Sequence, residues 1–301
     1  MISVETPATK SILARLLNEA KRTGETYNTV LVRYVGFRLL YRLTQSRHAD
    51  GFLLKGATMF LFWLGEMHRP TKDFDLLGTS ADANELRSIF TEIANIACEQ
   101  DGVIFDPDSI VAEAIREEQS YGGVRVTLLG YIGKARIPLQ IDIGFGDAVT
   151  PKPNEVELPG MIRDVPGAKM KCYNMETSFA EKLEAMARLG LANSRMKDFF
   201  DLSKLVRDTD LSHETLGRAI QATFKRRGSE LPLEIPVALT ETFWGDPMVA
   251  VRWRAFVRKN EIIPPVDDLS VTCQVIADTV GPILAALASG QKGLASYAEE
   301  L

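Results

Sequence analysis

Apolar residues recur at helical spacing twice near the start of the chain. Ile12, Leu13, Leu16 and Leu17 form a stripe within residues 8–22, and Val30, Leu31, Tyr34, Val35, Phe37 and Leu40 form another within 28–46. Each predicts a helix buried along one side. The polar side of the second is basic, with Arg33, Arg38, Arg42 and Arg47. Gly51 to Gly56 reads as a short buried strand closing in a glycine turn, and residues 57–66 as a short apolar helix. Residues 72–77 predict a second strand, and 82–100 an amphipathic helix carrying Leu86, Ile89, Phe90, Ile93 and Ile96. Two β-like runs, 122–130 and 136–144, flank Tyr131–Ala135 and predict a hairpin. Proline and glycine cluster from Pro151 to Gly167, which predicts a long loop or linker, and from Lys171 the pattern is helical almost to the end. The chain thus reads as α+β: an α/β domain with N-terminal helices over residues 1–160, then an all-helical domain over 161–301.

Composition narrows the classes. Of 301 residues, 46% are apolar and 25% charged, which suits a globular protein with a sizeable core. The net charge of −5 excludes a bulk nucleic-acid coat, so any nucleic acid must meet local basic surface. Cys98, Cys172 and Cys273 are scattered, as are His48, His68 and His213, giving neither a disulfide framework nor zinc spacing. The N-terminus lacks the pattern of a signal peptide, and no run of about 18 apolar residues predicts a membrane span. The expected setting is cytoplasmic, without a membrane partner.

The chemistry concentrates on carboxylates. Asp73 and Asp75 are two apart on a predicted strand, so they share a face while Phe74 points to the other. Asp142 sits opposite Leu139, Ile141 and Ile143 on the later strand. If the strands are neighbours, three carboxylates converge on an oxygen-rich site suited to Mg2+ or Mn2+, the ions of phosphoryl transfer. The plainer reading is a pair of solvated residues at a strand edge. Asp147 reads as a turn residue after Gly146. Lys55-Gly56-Ala57-Thr58 lies between a strand and a helix, where backbone N–H groups can cradle a phosphate; a plain helix-start turn is equally compatible.

Leu54-Lys55-Gly56-Ala57-Thr58 followed by Asp73-Phe74-Asp75 resembles the signature of the DNA polymerase β-like nucleotidyltransferases. The longer stretch LKGATMFLFWLGEMHRPTKDFDLL resembles the AbiEii/AbiGii (MenT-like) nucleotidyltransferase toxin family. Glu181-Lys182-Leu183-Glu184-Ala185-Met186 is similar to that family's helical lysine motif, and Arg195-Met196-Lys197-Asp198-Phe199-Phe200-Asp201-Leu202 to its R-x-K-D-x-x-D-L motif. Ala57 departs from the usual serine or glycine and removes a hydroxyl contact to phosphate.

The resemblance implies a polymerase β-like domain with a small mixed sheet, followed by a helical domain. It implies transfer of a nucleoside monophosphate from an NTP, with Mg2+ or Mn2+, to an acceptor such as a tRNA 3′ end. It further implies a toxin of a type IV toxin–antitoxin or abortive-infection system, with its antitoxin encoded by a neighbouring gene. Asp73, Asp75 and Asp142 would hold the metal, and Asp142 would help deprotonate the attacking hydroxyl. Lys55, Gly56, Ala57, Thr58 and Arg69 would meet the phosphates. Lys182 would neutralise triphosphate charge, Asp198 would orient it, and Asp201 would support both. His68 reads as a surface turn residue outside the mechanism.

Two other segments, Phe224-Lys225-Arg226-Arg227 and Val251 to Lys259, mix cations with aromatics and could grip RNA or form ordinary solvated faces. A nucleotide-binding partner without catalysis, or a transferase acting on protein, are the alternative functions.

Overall fold

The computed structural model describes residues 6–71, 73–80, 82–115, 122–260, 262 and 266–298. They fall into two compact units that interleave along the chain. The first takes the chain up to Phe62, then Pro70–Gly146 and Asn154–Cys172; the second takes Trp63–Arg69, Asp147–Pro153 and the chain from Tyr173 onward. Against the single break expected near residue 160, two short strands, one inside the proline- and glycine-rich stretch and one directly after it, belong to the first unit, where they extend its sheet.

In the first unit, α1 (Pro7–Thr23) starts at a capping box between Thr6 and Thr9 and stops at Gly24 in the left-handed region. Next comes α2 (Tyr27–Thr44), which is buried on nearly all sides. Its expected basic face is half core: Arg38 and Arg42 are 0% and 2% exposed. Both bind the buried Asp101, with Arg38 Nε at 3.1 Å and Arg42 Nη1 at 2.7 Å, and carbonyls of Pro166, Ile96 and Val103 take further N–H groups. A buried charge cluster survives only with such pairing.

The sheet contains β1 (Phe52–Lys55), β2 (Asp73–Gly78), β3 (Val103–Ile115), β4 (Gly123–Ile132), β5 (Ala135–Phe145), β6 (Asn154–Leu158) and β7 (Ala168–Cys172). Their order is β3-β4-β5-β2-β1-β7-β6; β2/β5 and β1/β7 are parallel and the other neighbours antiparallel. The sheet is mixed, as expected, and the predicted hairpin is β4–β5. After β1 come a 3-10 turn (Ala57–Met59) and the single-turn α3 (Phe60–Trp63), shorter than the helix expected to residue 66. Helix α4 (Ala83–Ala94) packs on β3 and β4, and α2 on β5 and β7. One contact fixes the strand that carries the carboxylate pair. A β-carbon at Gly36 of α2 would fall 1.9 Å from Phe74 Cζ, so the helix backbone rests directly on the residue between Asp73 and Asp75.

The second unit is helical: α5 (Met175–Leu189), α6 (Met196–Asp208), α7 (His213–Arg227), the short α8 (Glu241–Trp244), α9 (Pro247–Lys259) and α10 (Leu269–Ala298). Helix α5 begins at the Asn174 cap and buries Phe179, Ala180, Leu183 and Met186. Within α10, Leu269–Gly290 is long and apolar enough to cross a membrane by composition, a feature the sequence reading did not identify. Here Leu269, Cys273, Ile276, Val280, Ile283 and Leu284 are buried at helical spacing and α10 packs on α6 and α7, which is the pattern of a core helix.

Candidate active site

The carboxylates lie on neighbouring strands. Parallel pairing of β2 with β5 sets Asp75 directly across from Asp142 and Asp73 across from Gln140. Along β2, Phe74 and Leu76 are buried while Asp73 and Asp75 are half-exposed on the opposite face. Antiparallel pairing of β4 with β5 adds Arg125 across from Asp142 and Thr127 across from Gln140. Two polar rows therefore cross three strands, Asp75–Asp142–Arg125 and Asp73–Gln140–Thr127.

Arg125 is the residue that sequence reasoning missed. Its Nε and Nη2 donate to the two oxygens of Asp142, each at 2.8 Å, and Gln140 Nε2 adds contacts of 3.3 Å to both. The hydrogen bond to Asp142, with the nearby charges of Asp142, Asp73 and Asp75, raises the pKa of Arg125, outweighing a small cost of desolvation. The hairpin length could have revealed it. From the turn that pairs Ile132 with Ala135, seven steps back along each strand arrive at Arg125 and Asp142.

Gly56 closes the site from the β1 side. Its φ of 76° and ψ of −158° are essentially restricted to glycine. A β-carbon there would lie 1.9 Å from Asp75 Oδ2, so the missing side chain makes room for the carboxylate. Lys55 pairs with Asp75 across β1 and β2. Ala57 and Thr58 are buried, at 5% and 2% exposure, so the side chain of Thr58 faces the interior.

The donor set fits a hard divalent cation: carboxylate oxygens only, two on one strand and a third across from them. Among the described residues no three His, Cys, Asp or Glu side chains form a closed ligand cluster, and Asp142 is gripped by Arg125 through both oxygens. A metal bound by Asp142 would compete with Arg125 and Gln140 for its oxygens.

The family-motif residues in the second unit form one buried network. Lys182 on α5 donates to Asp198 Oδ1 at 2.6 Å and to Asp201 Oδ2 at 2.9 Å, and Arg195 Nε donates to Asp198 Oδ2 at 2.6 Å. Asp201 also accepts from His68 Nε2 at 2.6 Å and from Arg69 Nε and Nη2 at 2.7 and 2.8 Å. Asp198 and Asp201 are 1% and 0% exposed, so they belong to the core and not to a solvated helix surface. Burial works against each charge here, but the partners prevail: Lys182 is raised, Asp198 lowered, and Asp201 lowered well below the usual carboxylate range. Lys182 is 15% exposed and directs two of its three N–H groups to aspartates.

His68 is not a surface turn residue: it is buried, stacked on Phe200 with centroids 5.5 Å apart, and burial holds its pKa down. Arg69, expected to meet a phosphate, directs Nε and Nη2 to Asp201.

A second network on α5 uses Arg227, which pairs with Asp147, Glu181 and Glu184. Asp147 is thus more than a turn residue, and Arg227 is occupied within the fold. On α9 Trp253 is core and donates to the Asp267 carbonyl, while Arg252, Arg254, Arg258 and Lys259 are exposed.

No curated protein matches the chain. Among solved structures, JHP933 from Helicobacter pylori shares its fold at a TM-score of 0.50 with 16% identity, covering 91% of this chain and 99% of that one. The nucleotidyltransferase toxin MenT4 from Mycobacterium tuberculosis H37Rv is 18% identical, with a TM-score of 0.49 over 93% of this chain and 98% of that one. The family described as nucleotidyl transferase AbiEii toxin, type IV TA system, matches residues 38–270, which include the sheet carboxylates and the lysine–aspartate network. The chain belongs to the AbiEii family of nucleotidyltransferase toxins.

Proposed function

We propose that this nucleotidyltransferase toxin moves a nucleoside monophosphate from an NTP onto the 3′ end of tRNA, using Asp73, Asp75 and Asp142 with Mg2+ or Mn2+. The observation that carries this reading is the row Asp75–Asp142–Arg125, with the Gly56 backbone against Asp75. In the reaction the acceptor hydroxyl oxygen bonds to the α-phosphorus, and the bond from that phosphorus to the bridging oxygen of pyrophosphate breaks. The hydroxyl proton passes to a carboxylate oxygen of Asp142. The metal, when bound, supplies Lewis-acid stabilisation of charge on the phosphoryl oxygens. Asp73 and Asp75 hold it, the Gly56 turn offers backbone N–H groups to the phosphates, and Arg125 keeps Asp142 facing Asp75. Lys182, braced by Asp198 and Asp201, neutralises the leaving pyrophosphate. Arg69 and His68 act by fixing Asp201.

We further propose that the chain acts within a type IV toxin–antitoxin system and is restrained by an antitoxin encoded beside it. The experiment is incubation with each α-phosphate-labelled NTP, Mg2+ and bulk bacterial tRNA, with total cell protein as the competing acceptor. Label on tRNA 3′ ends is the expected result; label on protein alone would overturn the RNA assignment while keeping the transferase.

A further inference from the structure

Among the described residues, β2 pairs with β5 from Asp73–Gln140 onward, while residues 135–139 of β5 pair only with β4. A cavity of about 570 Å³ lies here. Asp73, Thr127, Leu129, Arg136, Pro138 and Gln140 are among its lining residues, all from the first unit. Its volume is in the range of small-ligand sites.

The position of this cavity has a chemical consequence. In the strand order β4-β5-β2-β1, the Gly56 turn flanks the carboxylate pair from the β1 side, and the cavity flanks it from the β5 and β4 side. Phosphoryl transfer is in line: the attacking oxygen and the leaving oxygen stand on opposite sides of the phosphorus. If the pyrophosphate leaves along the Gly56 turn, the nucleophile arrives from the cavity. We infer that this cavity is the acceptor subsite and takes the terminal nucleotide of a ribonucleic acid strand, a proposal that rests on the transferase reading above.

The lining suits that ligand. Thr127 and Gln140 stand in the row of Asp73, where a terminal ribose would place its hydroxyls. Gln140 directs its amide N–H to Asp142, which leaves its carbonyl oxygen to accept from a hydroxyl. Leu129 and Pro138 give the next row an apolar floor for a base. Beyond them Arg136, an exposed side chain, offers a guanidinium for the preceding phosphate.

The test compares Arg136→Glu and Thr127→Trp with the unaltered chain, measuring KM for bulk tRNA and KM for the NTP separately. Circular dichroism checks folding, and binding of a fluorescent NTP analogue checks the nucleotide side. Arg136→Glu should raise the KM for tRNA about tenfold or more and reduce the salt slope of tRNA binding by about one, with the NTP KM unchanged. Thr127→Trp should block transfer while nucleotide analogue binding persists. A rise in the NTP KM alone, or no change in either, would overturn the subsite. If the unaltered chain labels no tRNA, the RNA-directed reading itself fails and the subsite with it.

Discussion

Gly56→Ala probes the site through a single added carbon. The new β-carbon would start 1.9 Å from Asp75 Oδ2 and 2.6 Å from its Cγ, so the turn and the carboxylate must part by at least about an ångström to reach an ordinary contact. Alanine must also hold φ at 76° and ψ at −158°, a strain of about 1–3 kcal/mol. At about 2–4 °C per kcal/mol, the thermal midpoint should fall by about 2–12 °C. Activity should suffer more, because an ångström of misplacement at reacting groups costs about a hundredfold in rate. The assay is transfer of labelled nucleoside monophosphate alongside a thermal melt. A double-mutant cycle separates the two effects. On an Asp75→Ala background the carboxylate is gone and only the residue's β-carbon, 2.7 Å from the added one, remains in the way, so Gly56→Ala should cost less stability there, though still more than the backbone strain alone. An unaltered transfer rate together with the same thermal loss in both backgrounds would refute the proposed contact.

Two predictions concern the buried network of the second unit. Asp201→Asn leaves Arg69 and Lys182 short of a buried counter-charge and should cost about 3–5 kcal/mol, read by denaturant unfolding. Because the folded-state pKa of Asp201 lies well below its unfolded value, its contribution is present above the ordinary carboxylate pKa and is lost as pH falls toward the folded value; Asp201→Asn should flatten that acid-side slope. Lys182→Ala should lower transfer about a hundred- to thousandfold, more than stability explains, with Lys182→Arg only a partial rescue; wild-type transfer in Lys182→Ala would remove the lysine from the mechanism.

Much of the first unit was legible because its strands alternate. The half-exposed Asp73 and Asp75 around the buried Phe74, and Asp142 between the buried Ile141 and Ile143, follow a period of two. Strand β3 was not legible: Asp106-Pro107-Asp108-Ser109 interrupts it where its pairing shifts register. Strand β7 alternates cleanly, with Ala168, Met170 and Cys172 buried, but its five residues are short and follow a glycine- and proline-rich stretch.

Charges that end in the core were read least well. Arg38 and Arg42 looked like a solvated stripe because their partner, Asp101, is 63 and 59 residues away in a short 3-10 turn. On α6 a signal was present: Asp198 and Asp201 fall among Met196, Phe199, Phe200, Leu202 and Leu205, all buried, so both carboxylates were bound to need buried donors. That those donors include His68 and Arg69, more than 130 positions earlier, is a matter of tertiary packing.

In the proposed mechanism the carboxylates on β2 and β5 carry out nucleotide transfer. Asp75→Asn tests it most directly, since it keeps the size of a half-exposed side chain while removing its charge. Incorporation of α-phosphate label from NTP in the presence of Mg2+ should fall about a thousandfold or more, the loss of several kcal/mol of charge stabilisation, with the thermal midpoint essentially unchanged. Transfer at the wild-type rate by folded Asp75→Asn protein would contradict the account.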